Sequence, residues 1–150
     1  MKNASRQAVI TKTPLRISLG GGGTDLPFYS SKRGGFLVTA AIDEYIAVSM
    51  ATRPLDDKIL VQTTTTQFAL SIDQLENRLI RGVLEYFQRI KGIQVATFST
   101  LPTGIGLGSS STQVVGMVHG LSIMNGKPLP PMETASVAYH IERELLGLAG

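Results

Sequence analysis

The sequence predicts an α+β fold, because strand signals are concentrated in its first half and helical signals in its second half. β-branched and aromatic residues cluster at residues 8–19, 36–50, 59–62 and 67–70, whereas apolar residues recur at helical spacing after residue 71. A run of strands followed by a run of helices is typical of an α+β domain. The chain has 150 residues, of which 43% are hydrophobic, and this suffices for one domain with a core.

An unusual glycine run interrupts the predicted strands. Residues 8–19 predict the first strand, and the four consecutive glycines Gly20–Gly23 end it. Four glycines in a row hold regular structure only at a large entropic cost, so a tight turn or a function must justify them. Residues 36–50 then predict one long strand or two short ones.

The second half predicts helices separated by one more strand. The first helix begins at Ser71, because Ser71 and Gln74 have the spacing of a capping box, and its apolar residues continue as far as Lys91-Gly92. A strand at residues 95–100 follows. Apolar residues occur on several faces of the segment from Ser109 to Asn125, so we expect a largely buried helix there.

Composition excludes several classes of function. The chain has no cysteine and only two histidines, which excludes disulfides, thiol catalysis and cysteine-ligated zinc. No apolar run reaches the roughly 18 residues of a membrane span, and residues 1–13 lack the apolar centre of a secretory signal. The net charge of +3 is scattered, without a basic block or interleaved aromatic residues. We expect a cytoplasmic protein that binds neither membranes nor nucleic acid.

The strongest functional signal is a loop rich in glycine and serine before the buried helix. It runs from Leu101 to Ser111 as Leu-Pro-Thr-Gly-Ile-Gly-Leu-Gly-Ser-Ser-Ser. Alternate glycines let the backbone approach a ligand closely, and a helix start offers free N–H groups and a partial positive charge to an anion. Serine hydroxyls can donate to phosphate oxygens or coordinate Mg²⁺. The loop therefore predicts a phosphate site, and the alternative is a flexible turn whose serines only cap the helix.

This loop differs from the two commonest nucleotide motifs. No Gly-Lys-Ser/Thr follows it, and Gly104-x-Gly106 is followed by Ser109 where a dinucleotide fingerprint requires glycine. It resembles instead the central motif of the GHMP kinases, the superfamily of galactokinase, homoserine kinase and mevalonate kinase. That resemblance implies that the loop wraps the phosphates of ATP and that Ser110 supports Mg²⁺. The nucleotide-binding residues that it implies are Pro102, Gly104, Gly106, Leu107, Gly108, Ser109, Ser110 and Ser111.

A second motif surrounds the glycine run. The segment from Thr13 to Pro27 resembles the first motif of the same superfamily, which pairs a basic residue with an aspartate nine positions later, here Arg16 and Asp25. Arginine can stabilise charge on a transferring phosphoryl group, so we expect Arg16 to be catalytic; an ion pair is the alternative. Asp25 can accept hydrogen bonds from sugar hydroxyls, with a turn cap as its alternative. The substrate-binding residues implied by this motif are Gly22, Gly23, Thr24 and Asp25.

The same segment narrows the substrate. Galactokinases carry Glu-His where this chain has Gly22-Gly23, so galactose is not expected. The form Gly-Gly-Gly-Thr-Asp-Leu-Pro resembles the D-glycero-D-manno-heptose 7-phosphate kinases, which show an acidic-aromatic step similar to Asp43-Glu44-Tyr45. Asp43 is therefore a further candidate for substrate binding, or else an ordinary surface strand end. Lys32 and Arg33 are candidates for binding a substrate phosphate, or else solvated charges.

A carboxylate in the last predicted helix, from Met132 to Leu146, is the candidate metal ligand. At about 100° per residue, Glu142 shares a face with Ala135, Ala138, Tyr139 and Leu146, which predicts that it lies on an apolar stripe. A buried carboxylate needs a partner, either Mg²⁺ or a salt bridge with Arg16 or a neighbouring lysine. The resemblance implies Mg²⁺, because the segment from Glu142 to Gly147 is similar to the one that carries the magnesium-binding glutamate of GHMP kinases.

The resemblance also implies a fold and a reaction. The fold is the GHMP kinase amino-terminal domain, a mixed sheet with covering helices in two layers, like ribosomal-protein domains. The reaction is transfer of a phosphoryl group from ATP to a sugar or sugar-phosphate hydroxyl, first of all on heptose 7-phosphate. Fucose or mevalonate as substrate, and a non-catalytic nucleotide-binding fragment, are the alternatives. The family's catalytic aspartate would fall beyond Gly150, so we expect completion by a carboxy-terminal half or a homo-oligomer.

Overall fold

The strands and helices are given by a computed structural model that describes residues 8–102 and 104–148. The strands of the described part are β1 (Ala8–Gly20), β2 (Val38–Thr52), β3 (Ile59–Gln62), β4 (Thr66–Ala69) and β5 (Ile93–Ser99). Its α-helices are α1 (Pro27–Arg33), α2 (Arg78–Tyr86), α3 (Ser109–Met124) and α4 (Pro131–Tyr139). A 3₁₀ turn spans Ile72–Gln74, and a π-helical segment spans His140–Leu145.

The strands form one mixed sheet in the order β1-β2-β5-β3-β4. β3 and β5 are parallel, whereas the other neighbouring pairs are antiparallel. Along β2, Ile46, Val48 and Met50 alternate with less buried residues, so one face of the strand enters the core. The predicted α+β class with a mixed sheet is confirmed, and the segment predicted as one or two strands at residues 36–50 forms one long strand, Val38–Thr52.

Helix α3 lies across β1 and β2 and fixes the position of the phosphate loop that precedes it. Two glycines allow this close packing: a Cβ at Gly120 would lie 2.1 Å from Met50 Cε, and a Cβ at Gly116 would lie 3.1 Å from Thr11 Oγ1. The Thr11 hydroxyl donates to the Gly116 carbonyl at 3.0 Å. Buried residues occur around the helix from Thr112 to Met124, so the prediction of a buried helix is confirmed.

The predicted capping box at Ser71 is wrong. The Ser71 side chain makes no capping hydrogen bond, and the chain turns into extended backbone at Leu75 after a short 3₁₀ turn. The helix begins instead at Arg78, where the Asn77 side chain accepts from the Ile80 N–H at 3.0 Å. It also ends earlier than residue 91, because Gln88 adopts a left-handed backbone with φ of 54°.

Two further differences concern the helices beside the site. Helix α1 was not predicted, since none of its residues is buried and it has no hydrophobic period. The last helix begins as α4 and widens into a π-helical turn at His140. Its buried residues are Thr134, Ala138 and Ile141, so the predicted stripe through Ala135 and Tyr139 is wrong. The Thr134 hydroxyl is satisfied by the Pro130 carbonyl at 3.0 Å, which lets a polar residue occupy the core face.

Two sequence-based expectations extend beyond the described residues. Residues 1–7 of the segment inspected for a secretory signal, and Thr103 of the glycine-serine loop, lie outside them. Within residues 8–102 and 104–148, no helix is long and apolar enough to cross a membrane.

Candidate active site

A cleft of about 960 Å³ opens where β1 ends and α3 begins. Its walls bring the two sequence motifs and the last helical segment together, although these lie far apart along the chain. The predicted site residues that line it are Arg16, Gly22, Gly23, Asp25, Gly104, Gly106, Gly108, Ser109, Ser110, Ser111 and Glu142. A cleft that collects charged and hydroxyl groups from separate elements is the usual form of a small-molecule site.

The glycine loop has the backbone geometry of an anion site. Gly104, Gly106 and Gly108 have φ values of 83°, 79° and 73°, in the left-handed region. Side-chain-bearing residues rarely adopt this region, so the conformation explains the alternate glycines. The intervening Ile105 and Leu107 do not have positive φ. Such alternation is the pattern by which successive backbone N–H groups form an anion-binding concavity.

The start of α3 adds hydrogen-bond donors to the same wall. Gly108 is the N-cap residue and provides no side-chain cap, and the first turn contains no acidic residue. The N–H groups of Ser109, Ser110 and Ser111 precede the first N–H that bonds within the helix, that of Thr112 to the Gly108 carbonyl at 2.9 Å. This helix start is therefore available to a negatively charged ligand.

Arg16 connects the end of β1 to the glycine loop. Its guanidinium Nη1 donates to the Gly106 carbonyl at 3.1 Å, and its backbone N–H donates to the Leu107 carbonyl, also at 3.1 Å. A Cβ at Gly108 would lie 3.2 Å from Arg16 Cζ, so this glycine leaves room for the guanidinium. Among the described residues Arg16 forms no ion pair. The alternative reading of Arg16 as half of a structural ion pair is therefore not what the structure shows.

Glu142, in the π-helical segment, is one of the residues that line the cleft. It is half-buried, and burial raises the pKa of its carboxyl, although a hydrogen bond from Ser111 and the charge of Arg143 act in the opposite direction. The Ser111 hydroxyl donates to Glu142 Oε1 at 3.2 Å. No ion pair links Glu142 to Arg16 or to a lysine in the described part of the chain. Its charge is therefore only partly compensated, and a cation in the cleft would stabilise it.

The glycine turn after β1 forms another part of the cleft wall. Asp25 Oδ1 accepts a hydrogen bond from the Gly23 N–H at 3.1 Å, so one carboxylate oxygen holds the turn. Asp25 Oδ2 has no hydrogen-bond partner among the described residues, and Asp25 is one of the residues that line the cleft. Asp25 therefore caps the turn, as its structural alternative predicted, and its second carboxylate oxygen can still accept a hydrogen bond from a ligand.

Several predicted site residues lie outside the cleft lining. Asp43 is exposed on β2, where its carboxylate raises the pKa of Tyr45, whose ring lies 3.8 Å from Lys12 Nζ. Leu107 packs partly buried against the core. Helix α1 ends in Lys32 and Arg33, both exposed. The others not among the lining residues are Thr24 and Pro102.

The cleft also contains residues that sequence reasoning did not select. Arg78 begins α2, and its Nη2 donates to the Leu146 carbonyl at 3.2 Å. Arg143 Nη1 donates to the Leu148 carbonyl at 3.2 Å. Both arginines therefore hold the segment after the π-helical turn beside the cleft and add positive charge to it. No sequence signal marked Arg78, because the helix was predicted to begin at Ser71 and not at Arg78.

Comparison with known proteins agrees with this geometry. Residues 77–150 match the family model described as the GHMP kinases N terminal domain, and this match includes the glycine loop and Glu142. The chain carries a GHMP kinase amino-terminal domain. The resemblance inferred from the two motifs is thereby confirmed, as is the fold that it implied.

Two relatives extend the similarity over nearly the whole chain. D-glycero-alpha-D-manno-heptose 7-phosphate kinase of Campylobacter jejuni is 35% identical over 96% of this chain and 46% of its own length. The crystal structure of a D-glycero-D-manno-heptose 1-phosphate kinase from Bacteroides thetaiotaomicron is 34% identical, with a TM-score of 0.82 over 94% of this chain and 50% of that one. The chain spans about half the length of these relatives.

A more distant GHMP kinase shares only the fold. The galactokinase structure from Lactococcus lactis, determined with galactose, has a TM-score of 0.74 and 18% identity, covering 97% of this chain and 40% of that one. At that identity the likeness supports the arrangement of strands and helices and says nothing about the substrate of this chain.

Proposed function

We propose that the chain is the amino-terminal part of a kinase, which transfers the terminal phosphoryl group of ATP to a hydroxyl of a heptose phosphate. The observation that carries this proposal is the arrangement of the cleft. An anion-binding loop and helix start form one part of the cleft wall, a glycine turn with Asp25 forms another, and Arg16, which is hydrogen-bonded to the loop, lines the same cleft. Phosphoryl transfer depends mainly on positioning and on stabilising charge, and these groups are suited to both.

The loop wall is the proposed nucleotide side. Backbone N–H groups of residues 104–108 and the first turn of α3 would bind phosphate oxygens, and the Ser110 side chain is exposed to the cleft. Leu107 and Pro102 would act by shaping the loop, since neither lines the cleft. A reaction that consumes ATP requires a compartment supplied with it, and we propose the cytoplasm.

The groups beside this wall fit a magnesium ion. Mg²⁺ is commonly held by one or two carboxylates together with substrate phosphates and water. Glu142 supplies one half-buried carboxylate of raised pKa, and Ser110 and Ser111 supply hydroxyls next to it. In residues 8–102 and 104–148 no group of three His, Asp or Glu side chains is placed to hold a metal, so the ion would arrive with the nucleotide. When bound, it would neutralise charge on the transferring phosphates.

The glycine-turn wall is the proposed sugar side. Asp25 retains a free carboxylate oxygen for a sugar hydroxyl, and Gly22 and Gly23 leave room for a ring to approach the backbone. The two relatives reported above are named for heptose 7-phosphate and heptose 1-phosphate respectively, and they share a heptose that carries one phosphate. We therefore propose a heptose phosphate as the substrate class, with the 7-phosphate first. Asp43 is not among the residues that line the cleft, so we propose only that it contacts a part of the substrate that extends beyond the cleft.

Residues 1–150 are proposed to bind the substrates without turning them over efficiently. No aspartate follows Asp73 in this sequence, Asp25 belongs to the sugar wall and Glu142 is the proposed magnesium ligand, so we assign no general base for the attacking hydroxyl to the described cleft. A carboxy-terminal half or a second copy of the chain would supply it. Turnover by residues 1–150 that equals the turnover of the full-length gene product would contradict this and indicate transfer by positioning alone.

The substrate is tested with the full-length gene product, ATP and Mg²⁺. ADP release is measured over heptose 7-phosphate, heptose 1-phosphate, unphosphorylated heptose, fucose, galactose and mevalonate, and the product is checked by phosphorus NMR. We expect the highest kcat/KM with a heptose phosphate. A higher kcat/KM with mevalonate or fucose would show that this compound, and not a heptose phosphate, is the substrate. Nucleotide binding without phosphorylation of any member of the panel would favour a non-catalytic nucleotide-binding protein.

A further inference from the structure

A compact set of contacts holds the glycine turn against the segment that leads into β2. The Thr24 hydroxyl lies 2.7 Å from the Gly21 carbonyl and 2.8 Å from the Phe36 carbonyl. The Phe36 N–H donates back to Thr24 Oγ1 at 3.1 Å. One hydroxyl therefore joins two backbone segments twelve residues apart, and we call this set of three hydrogen bonds the Thr24 clamp.

Around the clamp, the backbone of the glycine turn lies so close to the backbone of residues 35–36 that only glycine fits at two positions. A Cβ at Gly21 would lie 1.9 Å from the Phe36 carbonyl oxygen, and a Cβ at Gly35 would lie 2.5 Å from the Thr24 carbonyl oxygen and 3.3 Å from Asp25 Cα. Real Cβ atoms do not approach other atoms so closely, so both glycines are required by the contact. Gly35 thus lies directly behind the residue whose carboxylate lines the cleft.

The clamp leaves Thr24 little capacity for a ligand. A hydroxyl has one proton to donate and two lone pairs, and here the proton is shared by two carbonyls while a lone pair accepts from the Phe36 N–H. Thr24 is also absent from the cleft lining, whereas its neighbours Gly23 and Asp25 are part of it. The turn that it holds includes the Gly23 N–H, which donates to Asp25 Oδ1 at 3.1 Å.

We propose that Thr24 is a positioning residue that preforms the sugar wall by clamping the glycine turn to Phe36, with Gly35 as its backing, and that it does not bind sugar itself. This inference rests on the proposed function for the identity of the ligand. The first motif implied that Thr24 binds the substrate, whereas here Thr24 positions the turn that binds it. It also assigns a role to Gly35 and Phe36, which lie outside that motif.

The test compares Thr24→Val, which replaces the hydroxyl by a methyl group, with Thr24→Ser, which keeps the hydroxyl. Ser31→Ala is the matched control, because the Ser31 hydroxyl bonds only within α1, to the Pro27 carbonyl. In the full-length gene product, we expect Thr24→Val to raise the KM for heptose phosphate at least about tenfold and the KM for ATP less than about twofold. Thr24→Ser and Ser31→Ala should stay within about threefold of wild type in both.

Amide hydrogen exchange, measured by NMR, provides a readout that does not depend on activity. Thr24→Val should accelerate exchange of the Phe36 N–H and of the Gly23 N–H, and Thr24→Ser should restore both. If Thr24→Ser raises the sugar KM as much as Thr24→Val while the Phe36 N–H stays protected, Thr24 contacts the sugar and the proposal is overturned. Unchanged exchange at Gly23 in Thr24→Val also overturns it. Lack of activity on every sugar phosphate would refute the proposed function. The exchange measurement would still show whether the Thr24 hydroxyl holds the glycine turn in place.

Discussion

The guanidinium of Arg16 donates a hydrogen bond to the carbonyl oxygen of Gly106, 3.1 Å away, across 90 positions of sequence. This bond joins the first motif to the phosphate loop, and the Leu107 carbonyl reinforces it by accepting from the Arg16 N–H. Arg16 therefore supports the loop as well as facing the cleft. Its proposed effect on the transferring phosphoryl group and its support of the loop predict different consequences of substitution.

Arg16→Lys should lower both turnover and nucleotide affinity. An ammonium group is a point charge and cannot reproduce the planar set of donors that reaches Gly106 while facing the cleft. Loss of the bond to Gly106 alone predicts an increase in the Kd for ATP of about fivefold, since a hydrogen bond contributes about 1 kcal/mol. The matched control is Arg89→Lys, whose guanidinium bonds to Asn125 outside the cleft. Calorimetric titration and steady-state kinetics measure the two effects, and wild-type values for both would restrict Arg16 to a passive role.

Ser110→Ala should weaken binding of magnesium-ATP by about 1 to 3 kcal/mol, or roughly 5- to 150-fold in Kd, because a donor to a charged ligand is lost. The domain should remain folded, since the Ser110 side chain is exposed and lines the cleft. Ser136→Ala on the surface of α4 is the control, because its hydroxyl bonds only to the Met132 carbonyl. An unchanged nucleotide Kd in Ser110→Ala would refute the role assigned to this serine.

Asp25→Asn should impair use of the sugar phosphate far more than binding of ATP. The amide oxygen of asparagine can still accept from the Gly23 N–H, so the turn is preserved. The second acceptor and the negative charge are lost, and we expect an increase of at least about tenfold in the sugar KM. Asp73→Asn, in the exposed 3₁₀ turn, controls for the loss of one charge. A fall in ATP affinity with normal sugar kinetics would place Asp25 on the nucleotide side.

Glu142→Gln should change how stability depends on pH in the absence of metal. Burial raises the pKa of the Glu142 carboxyl above the ordinary value of a glutamate, so the folded protein binds this proton more tightly than the unfolded chain does. Stability contributed by the protonated form is therefore present below pH 4.5 and is lost as the pH rises through the raised pKa. Thermal unfolding in EDTA should show the glutamine variant gaining stability relative to wild type over that window. Glu85→Gln, at an exposed position of α2, is the control for the change in net charge. A stability difference between Glu142→Gln and wild type that stays constant across the window would contradict the prediction.

The sequence predicted the parts of the site that depend on local backbone chemistry. Alternate glycines followed by serines predicted a loop that approaches a ligand closely at a helix start, and the left-handed backbone of Gly104, Gly106 and Gly108 is the conformation that forms it. The buried helix after the loop was equally predictable, because apolar residues on several faces leave few other arrangements.

Features that depend on tertiary contacts could not be predicted in this way. Helix α1 buries none of its residues, so hydrophobic periodicity does not reveal it. The helix is capped by Asn77 and not by Ser71, and Leu75, which was predicted to lie in the helix, enters the core from extended backbone instead. The Thr24 clamp connects segments that no sequence pattern links; the glycine run indicated a tight turn or a function, but not the contact of that turn with Phe36.

The central claim is that one cleft binds nucleotide on the loop wall and sugar phosphate on the glycine-turn wall. The most direct test is an amide NMR titration of the ¹⁵N-labelled protein, first with a non-hydrolysable ATP analogue and Mg²⁺, then with heptose 7-phosphate. We predict that the nucleotide shifts the N–H signals of residues 104–111 and Arg16, and that the sugar phosphate shifts those of Gly22, Gly23 and Asp25. Nucleotide-induced shifts confined to residues outside the cleft, or sugar-induced shifts that leave the glycine turn unchanged, would contradict the assignment.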